Sequence, residues 1–140
     1  MQVLNLERTL TELDHVRLTK LFHRNRFDGT PQFQSLPIEH VLEWAFVVPA
    51  REVSPDVVTM YSQILLKNLD TNERSTLTLC YPAHADADAS LVSVLSPVGW
   101  SLLGLQVGDI ARWTTPRGEE GKAKILAVLF QPESNGNYTM

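Results

Sequence analysis

The stretch from Ser96 to Glu133, SPVGWSLLGLQVGDIARWTTPRGEEGKAKILAVLFQPE, carries a helix cap, a short helix, a turn and a hairpin in one unbroken line. The Ser96 hydroxyl is suited to accept a hydrogen bond from a free amide of a first helical turn. Pro97 fits the first helical position, where its missing N–H is not needed. Gly104 closes the helix in the left-handed region, which leaves it barely two turns long. Val107-Gly108-Asp109 then redirects the chain into a strand from Ile110 to Thr114, and Pro116-Arg117-Gly118 turns it back into a second strand from Lys122 to Phe130.

Upstream, the period is that of strands. Val58, Met60, Ile64 and Leu66 fall on one face of an extended segment that begins near Pro55. Asp70-Thr71-Asn72-Glu73 supplies turn residues before Arg74 to Tyr81 returns as a strand rich in Thr and Leu. Ala83 to Ala89 is small and polar and reads as an exposed loop leading into a strand from Leu91 to Leu95. Several strands around one short helix give an α+β fold with an antiparallel sheet, assigned here to residues 51–140.

Residues 1–50 follow a helical period. Thr11 is placed to cap a helix, with Asp14 at the capping-box position. Leu13, Val16 and Leu21, joined by Leu18 and Phe22, form its apolar stripe. Asn25 to Ser35, with Asp28-Gly29-Thr30-Pro31, breaks the pattern. Leu36-Pro37 opens a second helix in which Ile38, Val41, Leu42 and Ala45 repeat at helical spacing until Pro49 forbids continuation. Two such helices joined by a polar turn predict a short antiparallel helical hairpin, with its junction to the sheet domain at Pro49 to Pro55.

Composition restricts the function classes. With 140 residues, 44% hydrophobic and 20% charged, the chain can bury one sizeable core and carry a small appendage. A net charge of -4 argues against a grip on nucleic acid through phosphates and favours a protein partner over sequence-specific nucleic acid. The lone Cys80 excludes an internal disulfide, the start MQVLNLERTL has no basic region followed by an apolar run, and no stretch is long enough to span a membrane. The expectation is a cytoplasmic, monomeric protein.

The order of elements from Ser96 onward resembles the C-terminal domain of the bacterial transcript cleavage factors GreA and GreB, where a Ser-Pro-opened helix, a Val-Gly-Asp turn and a Thr-Pro-x-Gly hairpin follow one another. Pro55 to Ser62, Tyr81-Pro82 and Gln131-Pro132-Glu133 are similar to the Gre-related Rnk group, regulators of nucleoside diphosphate kinase. With the N-terminal segment included, the likeness spans most of the chain. It implies an FKBP-like sheet domain that docks at the rim of the secondary channel of bacterial RNA polymerase, and a helical hairpin that enters the channel. In the Gre family, acids at the hairpin tip help to hold a catalytic magnesium ion. Such an ion prefers carboxylate oxygens and activates the attacking water.

Here the tip offers only Asp28, flanked by Arg24 and Arg26, while Glu39 and Glu43 lie further along the second helix. About fourteen residues per arm, at roughly 1.5 Å each, give an arm of about 20 Å, too short to cross the channel. The resemblance therefore implies a non-catalytic occupant of the Gre site, with no metal or other cofactor, that competes with cleavage factors. Its expected polymerase contacts are Ser96, Pro97, Trp100, Val107, Gly108 and Asp109, with Arg24 and Arg26 on the hairpin. The apolar run Trp44-Ala45-Phe46-Val47-Val48 is expected to pack against the sheet domain.

Two alternatives come from other classes. A cleavage factor proper needs Asp28 to act with a second acid. A peptidyl-prolyl isomerase needs an aromatic-lined pocket, and the FKBP-like fold does not carry that activity by itself. Kinase chemistry is not indicated, because no glycine-rich phosphate loop is followed by Lys.

The remaining reactive side chains have plain readings. Asp28 in Asp-Gly is a turn former. His84, Asp86 and Asp88 alternate as metal ligands can, yet sit in what reads as a solvated loop, and His15, His23 and His40 form no ligand pair. Cys80 reads as a small core residue; Trp100, Trp113, Tyr61 and Phe130 read as core aromatics. Arg17, Lys20, Arg24 and Arg26 read as a solvated helix face.

Overall fold

The computed structural model describes residues 7–27, 37–114 and 117–136, with side chains described for 7–21, 41–114 and 117–136. Strand β1 (Thr9–Thr11) runs into helix α1 (Glu12–Phe27), and helix α2 (Pro37–Trp44) runs into strand β2 (Phe46–Val48). The sheet domain follows with β3 (Gln63–Asn68), β4 (Arg74–Cys80), β5 (Leu91–Ser93), helix α3 (Pro97–Leu102), β6 (Ile110–Thr114) and β7 (Glu120–Phe130). Among these residues no helix is long and apolar enough to cross a membrane.

Five strands form one sheet in the order β5-β4-β3-β7-β6. The two predicted hairpins are present: β3 pairs antiparallel with β4 from Gln63↔Thr78 to Lys67↔Arg74, and β6 with β7 from Ile110↔Lys124 to Thr114↔Glu120. The first closes through Asn68, whose Oδ1 accepts the Asp70 and Thr71 amides. The second closes with Gly118 at φ +86°, while Thr115 and Pro116 of the predicted turn lie outside the described residues. On β6 and β7, Trp113 lies opposite Gly121, and a side chain at 121 would run into the indole, so this glycine is fixed by its neighbour.

The sequence predicts an antiparallel sheet, but the sheet is not wholly so. Strand β5 pairs parallel with β4, Thr78↔Leu91 to Cys80↔Ser93. The loop between them is exposed as expected, but it is built as two tight helical turns with Ser90 left-handed at φ 57°, and it carries the chain back beside the last three residues of β4. Strand β3 begins at Gln63 and not near Pro55. Thr59 to Ser62 forms a turn in which Tyr61 has φ 66° and the Ser62 hydroxyl accepts the Thr59 amide. Val58, Met60, Ile64 and Leu66 are nonetheless all buried, so the apolar face is right although the backbone in its first half is not extended.

A second, two-stranded parallel sheet, β1 with β2, has no counterpart in the expectations. It ends α2 at Trp44, and it exposes much of the run expected to be covered: Trp44 is 76% exposed, Phe46 60% and Val47 44%, while Ala45 packs against the core. The α1 stripe is also rotated. Thr11, Asp14, Leu18 and Leu21 face inward at a spacing of three and four, whereas Val16 is 48% exposed. Thr11 caps α1 as predicted, accepting the Asp14 amide at 3.1 Å.

One buried cluster spans both regions. Leu10, Leu18 and Val41 from the N-terminal part pack with Val58, Met60, Ile64, Leu79, Leu102, Leu105 and Ile125. Each fully buried large aliphatic side chain contributes about 1.5–3 kcal/mol, so the N-terminal helices are held by this shared core. Cys80 is buried as predicted, while Phe130, expected in the core, is 37% exposed at the end of β7.

Candidate functional site

Helix α3 forms because each position of its opening has a local role. The Ser96 hydroxyl accepts the Gly99 amide at 3.1 Å and donates to the Ser93 carbonyl at 2.7 Å, tying the helix start to β5. Pro97 occupies the first turn. Gly99 lies so close to β5 that a Cβ there would strike the Ser93 carbonyl. At the far end Gly104 adopts φ +82°, as predicted, and its carbonyl accepts the Thr9 amide at 3.0 Å.

The Val107-Gly108-Asp109 turn is a hydrogen-bonded knot. Asp109 accepts the Gln106 amide through Oδ2 at 3.0 Å, and its own amide returns to the Gln106 carbonyl at 3.0 Å. The Gly108 amide donates to the Ile125 carbonyl at 2.9 Å, and the Val107 amide to the Asp56 carbonyl at 3.0 Å. Gly108, at φ +98° with nothing near its missing side chain, sits exposed beside Val107 at the apex.

Beneath this surface lies Arg8, which is 8% exposed. Its Nη1 donates to the carbonyls of Trp100 at 2.8 Å and Leu103 at 2.9 Å, two acceptors that the end of α3 leaves without helical partners. Burial lowers its pKa to about 10, and the nearby Asp109 carboxylate opposes that shift. Arg8 therefore stays cationic at neutral pH and links α3 electrostatically to the Val107–Asp109 turn.

A second buried polar contact lies at the start of α1. Asp14, 2% exposed, accepts the Met60 amide through Oδ2 at 3.1 Å. Burial raises its pKa to about 6; Glu133 adds to the rise, while the Met60 amide, Thr11 and Arg17 oppose it. Glu133 in turn accepts the Thr59 hydroxyl at 2.8 Å, and Gln131 Nε2 donates to the Ser54 and Val57 carbonyls. Thus the turn that starts β3 is gripped from α1 on one side and from the residues after β7 on the other.

Of the predicted site residues, Ser96, Pro97 and Trp100 lie half-buried at the start of α3, with Trp100 packed against the core, and Val107, Gly108 and Asp109 lie on the turn that follows, separated from them by the buried residues Ser101 to Leu105. Arg24 and Arg26 lie in α1, but their side chains are outside the description, as is Asp28 entirely. His84 bonds the Tyr61 phenol at 2.5 Å and Asp86 accepts the Asp88 amide, so both are engaged locally. Among the described residues no three His, Cys, Asp or Glu side chains gather as a metal site. Sequence reasoning missed Arg8 altogether and took Asp14 only as a capping acid. The signal for Asp14 was its place in register with Leu18 and Leu21; Arg8 had none.

The family model described as "Transcription elongation factor, GreA/GreB, C-term" matches residues 53–130, more than half of the chain. The chain belongs to the GreA/GreB transcription elongation factor family. Its likeness to the "Regulator of nucleoside diphosphate kinase" of Escherichia coli strain K12 is 35% identity, covering 94% of this chain and 95% of that protein. Against the GreA of Chloroherpeton thalassium it is 36% identical over 81 residues, 58% of this chain, and spans about half (51%) of that factor's length. The solved structure of a GreA/GreB transcription elongation factor from Nitrosomonas europaea superimposes with a TM-score of 0.71 at 33% identity, covering 89% of this chain and all of that one. As a GreA/GreB-family member, the protein has the mixed α+β architecture predicted from its sequence.

Proposed function

We propose that this GreA/GreB-family protein is a transcription regulator that binds bacterial RNA polymerase at the rim of the secondary channel, without cleaving transcripts itself. Residues 51–140 act as the docking domain, with the α3 and Val107–Asp109 segment in contact. Residues 1–50 act as a short helical hairpin directed into the channel. The observation that carries this reading is the likeness, over nearly the whole length of both chains, to a protein named as a regulator, together with the match to the GreA/GreB C-terminal domain.

Two features support the non-catalytic part. The sequence between α1 and α2 supplies a single acid, Asp28, where a magnesium site needs several oxygen ligands. Helices α1 and α2 have 16 and eight residues, arms of about 24 Å and about 12 Å, short for a probe that must cross the channel. A protein of this kind acts by occupancy: it excludes cleavage factors from a shared site and changes expression downstream, including that of nucleoside diphosphate kinase, with no cofactor of its own. The test is competition on a stalled elongation complex that a Gre factor can cleave. The expected result is dose-dependent inhibition of cleavage with none by this protein alone. Cleavage by this protein alone would replace the proposal with an active factor.

A further inference from the structure

We infer that Arg8 and Asp14 are positioning residues that together fix the direction of α1 relative to the α3 and Val107–Asp109 surface. The inference rests on the polymerase-binding reading, because it assigns to these residues the task of aiming the helical part once the sheet domain has docked.

The geometry places one pin on each side of β1 and the first turn of α1. On one side the Arg8 guanidinium spans the Trp100 and Leu103 carbonyls, and the neighbouring Thr9 amide donates to the Gly104 carbonyl. The Arg8 carbonyl accepts the Phe46 amide at 2.8 Å, so the strand that follows α2 is tied to the same point. On the other side the Asp14 carboxylate accepts the Met60 amide, at the turn entering β3. A single contact leaves a helix free to pivot, whereas two separated contacts define its direction. Leu10 and Thr11, both fully buried, fill the space between the pins. Both pins bury an ionisable group, and removing either partner leaves polar atoms unsatisfied where water does not reach. Gly104 belongs to the arrangement: a Cβ there would lie 3.0 Å from the Arg8 Cβ. Apolar packing alone would bury the same area with less directional demand, and this is the reason to read the pair as aiming devices.

The test uses the full chain with spin labels at Lys20 on α1 and Thr76 on β4, both exposed, after Cys80→Ala removes the native thiol. The unsubstituted pair is expected to give one narrow distance. Arg8→Met and Asp14→Ala are expected to broaden it, while Asp14→Asn, which keeps an acceptor for the Met60 amide, keeps it narrow. If Arg8→Met does not fold, Arg8→Lys, which keeps the charge on a shorter side chain that does not place a nitrogen at the Nη1 position, is expected to broaden it partially. A narrow, unshifted distance in folded Asp14→Ala and Arg8→Met or Arg8→Lys would overturn the inference. A second readout separates aim from docking: Asp14→Ala is expected to bind polymerase within about threefold of the parent yet inhibit Gre cleavage about tenfold less well. Equal loss of both would show a merely structural role. Failure of the parent protein to bind polymerase would remove the functional reading, while the distance measurement would still decide whether the pins set the direction of α1.

Discussion

At the scale of single residues, the clearest consequence follows from the buried Asp14. Its pKa rises from 3.8 to about 6, so the folded state holds a proton that the unfolded chain has already released. Stability from this group is full below pH 4, falls as pH rises through the window from about 4 to about 6, and is constant above it. At 1.36 kcal/mol per pH unit, the loss is about 3 kcal/mol. Asp14→Asn removes this slope while keeping an acceptor for the Met60 amide. Urea unfolding at pH 4.5 and 7.5 is expected to show the variant gaining on the parent protein at the higher pH; parallel behaviour would contradict the assignment. Arg8 gives the opposite case, a cation whose removal harms. Arg8→Ala orphans the Trp100 and Leu103 carbonyls and is expected to cost about 3 kcal/mol or more, read from the shift of the urea midpoint. Neither role was fully legible. Asp14 could have been placed on the inner face by its register with Leu18, but it reads equally well as a capping acid. Arg8 sits among alternating residues with nothing to mark it as an arginine turned inward.

Secondary-structure elements were legible where local chemistry decides them. Helix α3 is the best case, since Ser96, Pro97 and Gly104 each specify one step of backbone geometry without help from the rest of the fold. Ser96→Ala is expected to cost about 1 kcal/mol, the typical loss of a helix cap. Gly99→Ala is expected to cost more, about 3 kcal/mol, because the new methyl meets the rigid Ser93 backbone and α3 must move off β5. Thermal melts of the two variants test the ranking, and a Gly99→Ala protein as stable as its parent would show that the helix is not held against β5. The two hairpins were read from their turn residues and alternating strands. What escaped was set by distant partners. The parallel pairing of β5 depends on how the loop from residue 82 to 90 folds back, and β1 and β2, at three residues each, are too short to show any period. The same parallel pair explains why Trp44, Phe46 and Val47, in a run apolar enough to be taken for core, end up exposed while Ala45 packs against the core.

On the scale of the molecule, the α+β class and the GreA/GreB membership were both legible from the ordered motifs between Ser96 and Glu133, because helix cap, Val-Gly-Asp turn and hairpin recur in a fixed sequence. The division into residues 1–50 and 51–140 was drawn from periodicity alone, and the core crosses that boundary. Leu10, Leu18 and Val41 share one buried cluster with the sheet, and the Arg8 and Asp14 contacts reinforce it. On the proposed reading of a regulator that acts by occupancy, such a junction is useful, since a helical part that swings freely would lose the direction needed to fill a channel. The measurement that tests this account most directly is titration of the protein into a stalled bacterial RNA polymerase complex in the presence of a Gre factor, with transcript cleavage as the readout. The account predicts progressive inhibition by this protein and no cleavage when it is added alone. Undiminished Gre cleavage at saturating protein, or cleavage by the protein itself, would contradict it.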